Sequence, residues 1–133
     1  MRVDGEKLLV GPILWKHIGP YKKKLNIVEN PSVGLLAAPS KVCELIDIAL
    51  EEMLQVTLER GSERVRVYCT VIQGNLVLGV ADEGPWYEDD DQLAFAEIIS
   101  RVRKLSGTFN LGKLESEEET AVELRVPLFN QPR

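Results

Sequence analysis

Histidine is almost missing from this chain of 133 residues, where His17 stands alone. A single imidazole offers little to a Ser-His-Asp or Cys-His nucleophile system. Cysteine is nearly as scarce: Cys43 falls on a helix-like stretch and Cys69 on a strand-like one. Neither belongs to a CxxC or Cys/His cluster with metal spacing, so both are expected as buried, reduced thiols. No apolar run approaches the ~20 residues of a membrane span, and the first residues lack the charged-then-apolar order of a signal peptide. Positive charge is in the minority, with 16 Lys and Arg against 21 Asp and Glu for a net charge of -5. That balance argues against a broad electrostatic footprint for nucleic acid or anionic lipid. The clusters Lys22-Lys23-Lys24 and Arg101, Arg103, Lys104 are too small to reverse it. Neither a nucleic-acid nor a membrane partner is expected, and the cytosol is the expected compartment.

What the chain does have is 44% hydrophobic residues, enough for one domain with a real core and too short a length for two. A single domain over 1–133 is expected, with residues 1–12 set apart as an N-terminal extension. Residues 13–24 predict a short helix interrupted at Gly19-Pro20. Extended pieces follow near 25–29 and 34–37, separated by the turn-forming Asn30-Pro31-Ser32. The clearest helix starts at Pro39, with Val42, Leu45, Ile46, Ala49, Leu50, Met53 and Leu54 at three- and four-residue steps. From Glu63 the period becomes two, with Val65, Val67, Cys69 and Val71 facing one way and Arg64, Arg66, Tyr68 and Thr70 the other. Gln73-Gly74-Asn75 turns the chain into a partner strand, 76–81. The acidic run Glu88-Asp89-Asp90-Asp91 suits the first turn of a second helix, whose apolar side carries Leu93, Phe95, Ala96, Ile98, Ile99, Val102 and Leu105. Ser106-Gly107 ends that helix. A last hairpin, 108–114 and 121–128, surrounds the acidic tip 115–120. Hairpin-linked strands with two helices on one face make an α+β two-layer sandwich with a mixed, mostly antiparallel sheet.

The stretch VADEGPW, 80–86, ends the partner strand in an Asp, an acidic neighbour and a Gly. Without other information Asp82 is a turn former bonding its own backbone. With its surroundings, the segment VRVYCTVIQGNLVLGVADEGPW resembles the hairpin leading into the G1 box of sensor histidine kinase ATP-binding domains. The wider relatives of that family are the gyrase, Hsp90 and mismatch-repair ATPases. LLAAPSKVCELIDIALEEMLQVT resembles the stretch ending in the family's N box, LAFAEIISRVRKLSGTFNL the helix after the nucleotide lid, and AVELRVPL the closing strand. The resemblance runs from about residue 13 to 128 and implies the family's fold.

Carried over residue by residue, the resemblance gives Asp82 the place of the adenine-reading Asp, Gly84 the first G1 glycine, and Thr120 a late Thr near the base pocket. It also shows departures. Trp86 replaces the second G1 glycine. Glu52 or, in another alignment, Gln55 stands where the N box has its magnesium-binding Asn, and Glu52 is the metal ligand if there is one. The lid is cut to about 87–92, and Ala94 and Phe95 stand where the G2 glycines begin. Polyphosphate is held at a helix N-terminus through bare backbone N–H groups. Three consecutive aspartates stand there instead. At ~5 Å and an effective dielectric between 20 and 80, each carboxylate facing a phosphate charge costs about 1 to 3 kcal/mol.

The resemblance therefore implies a degenerate, non-catalytic domain with no cofactor, serving as a regulatory or protein-interaction module in bacterial-type two-component signalling. The partners implied are a kinase or a response regulator, and a homo-oligomer stays open. Two alternatives stand beside it. One is an ATP- and magnesium-binding catalytic domain of a sensor or anti-sigma-factor kinase with atypical motifs, and the other is a small-molecule sensor using the retained base pocket. His17 does not fit a phosphoacceptor box, because Ile18 follows it where an acid belongs. Trp15 and Tyr21 are the candidates for an exposed contact patch, since aromatic residues are enriched among interface anchors.

Overall fold

The computed structural model describes residues 7–22, 26–31, 36–62, 64–84, 87, 89–113 and 119–129. Its elements in chain order are β1 (Lys7–Leu9), α1 (Val10–Tyr21), β2 (Asn26–Pro31), β3 (Ala37–Pro39), α2 (Ser40–Glu59), β4 (Arg64–Ile72) and β5 (Asn75–Asp82). A 3-10 segment, Asp89–Phe95, then leads into α3 (Ala96–Lys104), β6 (Thr108–Lys113) and β7 (Thr120–Pro127). One sheet holds five strands in the order β2-β4-β5-β7-β6, and a separate ribbon pairs β1 with β3. Among the described residues only β2 and β4 run parallel; the other neighbours are antiparallel. The architecture is the α+β sandwich with a mixed sheet that the sequence predicts, with α1 joining α2 and α3 as a third helix over the core.

The seven apolar positions picked out on α2 are all buried, from Val42 to Leu54. They meet the inward side of β4 and β5 at Val67, Cys69, Leu78 and Val80 in one continuous core. Each fully buried Leu or Ile contributes about 1.5 to 3 kcal/mol relative to exposure. β5 is the central strand and is buried along most of its length, which explains its unbroken apolar run. Neither Cys43 nor Cys69 is in a disulfide and both are buried, as expected. Burial pushes the Cys69 thiol up to about 12.

Several local expectations change. α1 is continuous through Gly19 and holds Pro20 inside its last turn. A proline there removes a single helical hydrogen bond, and Lys22 N–H still reaches the Ile18 carbonyl at 3.1 Å. Within 1–12, Lys7–Leu9 pair with Ala37–Pro39 and Val10 begins α1. A strand of three residues carries no readable period, so the β1–β3 ribbon left no sequence signal. The second predicted helix splits, its first part being the 3-10 segment. Consequently Leu93 is 77% exposed and Ala96, also expected inward, is exposed, whereas Phe95, Ile98, Val102 and Leu105 are buried. Val71, expected inward, is exposed near the β4–β5 turn, where the strands reach their end.

α3 ends with Ser106 at φ 63, followed by Gly107. The Gly107 N–H bonds the Val102 carbonyl at 2.9 Å and the Ser106 N–H bonds the Arg103 carbonyl at 3.0 Å. That pair of bonds is a Schellman ending in which serine, rather than the following glycine, takes the left-handed position. A Cβ disfavours this conformation, so Ser106→Gly should stabilise the fold by about 0.5 to 1 kcal/mol. Urea unfolding measures it, and an unchanged midpoint would show that the serine pays no such penalty.

Candidate functional site

β5 delivers Asp82 at the last residue of a central strand, with Thr120 opposite it on β7 and Val65 opposite it on β4. The Asp82 side chain is 0% exposed. Its Oδ1 accepts three hydrogen bonds: from the Gly84 N–H at 2.6 Å, the Thr120 hydroxyl at 3.2 Å and Arg60 Nη2 at 3.3 Å. The first of these is the local side-chain-to-backbone turn expected of an Asp before a Gly. The other two make Asp82 the centre of a pocket. The turn bond satisfies the ordinary reading of Asp82.

Arg60 is the charged residue of this site that sequence reasoning missed. It caps α2, and Gly61 after it takes φ 81, a left-handed conformation that stops the helix and turns the chain toward β4. The Arg60 side chain, only 12% exposed, runs into the pocket and ion-pairs with Asp82. Its Nη2 also reaches Thr120 Oγ1 at 3.3 Å. The guanidinium carbon lies 3.9 Å from the centroid of the Tyr87 ring, in stacking contact. Tyr87 in turn meets Phe95 edge-on at 6.4 Å, and Phe95 packs on Phe109 at 5.3 Å. Arg at a helix C-terminus is ordinary because it complements the helix dipole, so nothing in the sequence marked this one.

Gly84 lines the other wall. A Cβ there would lie 2.8 Å from Asp82 Oδ1 and 3.0 Å from both Arg60 Nη2 and Ser62 Oγ, so any side chain would push these three groups aside. Among the described residues, Asp82 Oδ2 and Ser62 Oγ are buried without a hydrogen-bond partner. A cleft of about 250 Å³ opens beside them, lined by Gly61, Ser62, Arg64, Glu83 and Gly84.

Of the other candidates, Glu52 and Gln55 belong to a different place. They line a cleft of about 490 Å³ between α1 and α2, with Lys16, His17 and Asp47. Burial, and then the Glu97 charge, raise the Glu52 carboxyl above its ordinary value. A carboxylate so raised is destabilising when charged. The effect is absent below its unfolded value near ~4.3 and grows as pH rises through the folded one. Glu52→Gln is therefore expected to be more stable than the parent at pH 7 and equal to it at pH 3. Thermal melts at both pH values check this, and a variant less stable at pH 7 would refute it.

Gln55 is a strut: the Tyr21 hydroxyl donates to its Oε1 at 2.9 Å and its amide donates to Glu59 at 3.2 Å. Tyr21, expected to be exposed, is buried at 7% because this bond draws it against α2. Trp15 is exposed as expected, with the Lys22 ammonium 5.4 Å from its ring centroid. His17 is held by Asp47 at 2.5 Å, a clamp between α1 and α2. Trp86, Pro85, Glu88 and the acidic tip at 114–118 lie outside the described residues, as do the side chains of Asp89, Asp90 and Asp91.

Magnesium takes carboxylate, carbonyl and water oxygens in octahedral order. Among the described residues no three His, Cys, Asp or Glu side chains gather for it, and Glu52 lines a cleft that does not include Asp82.

No family model matches the chain, and no curated protein matches it. Solved structures do. The Acinetobacter baumannii histidine kinase AdeS superposes with a TM-score of 0.75 at 14% identity, over 94% of this chain and 68% of that one. The histidine kinase domain of the Erythrobacter litoralis EL346 blue-light activated histidine kinase gives 0.77 at 16% identity, over 96% of this chain and 65% of that one. The ATP-binding domain of PrrB from Mycobacterium tuberculosis gives 0.67 at 15% identity, over 96% and 98%. The fold is that of a histidine-kinase-like ATPase domain.

Proposed function

We propose that this chain is a degenerate, non-catalytic histidine-kinase-type ATPase domain that acts as a regulatory or protein-interaction module in bacterial-type signal transduction. The observation carrying the reading is the Arg60 guanidinium, paired with buried Asp82 and stacked on Tyr87. A base seeking that carboxylate would have to displace a charge-assisted bond inside a desolvated site, an exchange that disfavours the neutral ring. The substitution of Trp86 for a phosphate-loop glycine and the aspartate run point the same way. Among the described residues no helix is long and apolar enough to cross a membrane. The module's proposed partners are a kinase or a response regulator, since the structural neighbours are named histidine kinases.

Isothermal titration of the intact protein with magnesium and a non-hydrolysable ATP analogue tests the proposal. No heat of binding is expected up to millimolar nucleotide. Micromolar binding that Asp82→Asn abolishes would overturn it in favour of an ATP-binding domain with an atypical N box.

A further inference from the structure

We infer that the pocket formed by Asp82, Thr120 and Tyr87 is a guanidinium site, and that Arg60 is its built-in ligand. The inference deepens the functional reading above and rests on its account of this pocket as no longer a nucleotide site. Three recognition elements converge on one planar cation. A buried carboxylate supplies the opposite charge, the Thr120 hydroxyl oxygen accepts a second N–H, and the Tyr87 ring offers a face at 3.9 Å. That combination selects a flat, positively charged donor over a neutral ring or a compact ammonium. Only the flat cation stacks and forks its hydrogen bonds at once.

The site also has unused capacity. Asp82 Oδ2 is buried with no partner among the described residues, on a side chain that is 0% exposed, and Ser62 Oγ is buried beside it. Arg60 uses only one oxygen of the carboxylate, so a ligand free to choose its orientation can engage both through a bidentate fork. The neighbouring cleft of about 250 Å³ along Gly61, Ser62 and Gly84 gives room for the stem of such a ligand. Arg60 thereby determines specificity: while it stays in place the pocket is filled, and with its side chain removed the pocket takes free guanidinium or amidinium compounds.

The test uses Arg60→Ala and, should that variant fail to fold, Arg60→Met, each checked by circular dichroism. The probes are n-propylguanidinium and benzamidine, with adenosine as the neutral control, titrated by calorimetry and by thermal shift at millimolar concentration. At least tenfold tighter binding of propylguanidinium to the variant than to the parent is expected. The gain should disappear in the Arg60→Ala/Asp82→Asn double variant, and adenosine should bind at least tenfold more weakly than the cation. Equal affinity in parent and variant, or a gain that survives loss of Asp82, would overturn the inference. Adenosine binding as well as propylguanidinium would overturn the ligand class. These outcomes are separable from failure of the functional reading, which is decided by magnesium-nucleotide binding to the parent protein.

Discussion

Asp82→Ala is expected to lower the stability of the domain by about 3 to 5 kcal/mol, the range for removing one partner of a buried ion pair. The carboxylate is 0% exposed and the guanidinium it faces is 12% exposed, so neither has water to fall back on. The variant leaves the Arg60 charge in a site that lacks its counterion. It also frees the Gly84 N–H and the Thr120 hydroxyl that converge on Oδ1. The double variant Asp82→Ala/Arg60→Met removes both charges together. It should therefore be markedly more stable than the sum of the single losses, a coupling that a double-mutant cycle in urea resolves. A single-variant loss below about 1 kcal/mol would mean that the pair is solvated and worth no more than a surface bridge.

Phe95→Ala should cost a similar amount, about 3 to 5 kcal/mol, for a different reason. Phe95 is among the largest fully buried side chains, where the 3-10 segment gives way to α3. Its ring contacts Phe109 at 5.3 Å on one side and the edge of Tyr87 at 6.4 Å on the other. Truncation opens a cavity between helix layer and sheet. It also removes the support under the ring on which Arg60 stacks. Equilibrium unfolding measures the first effect. The second is read from the Asp82–Arg60 coupling energy in the Phe95→Ala background, which should fall. An unchanged coupling would show that Tyr87 is positioned without Phe95.

The long-period features of the fold were legible. Seven apolar positions on α2 and the alternation on β4 specify which face of each element is buried, because burial and periodicity are the same fact seen from sequence and from structure. Short or irregular pieces were not. The β1–β3 ribbon is held by pairing between residues about thirty positions apart, and the 3-10 segment bears the same residue types as the helix it was read into. Leu93 was misplaced for that reason, since a tighter winding turns its side chain away from the core. Tyr21 was misplaced because its burial depends on one hydrogen bond to Gln55 on another helix.

The candidate site divides in the same way. Asp82, Gly84 and Thr120 were found from the sequence and come together in the structure, Gly84 bonding within its own turn and Thr120 across a strand register. Glu52 and Gln55 were grouped with them by analogy, yet they line the cleft against α1. Arg60, Ser62 and Tyr87 were invisible because each has an unremarkable local role: a helix cap, a turn residue and a loop aromatic.

From its sequence alone this chain determined its layers, its strand pairing around the Gln73-Gly74 turn and the acidic residue left at the end of the central strand. Alternation and hydrophobic burial act locally and leave a periodic trace. What occupies the pocket at that residue was decided only by tertiary structure. The choice depends on where the end of one helix projects a guanidinium relative to a carboxylate 22 positions later, at 3.3 Å. No local pattern encodes a distance between side chains on separate elements, and it is that distance which sets the charge the site presents.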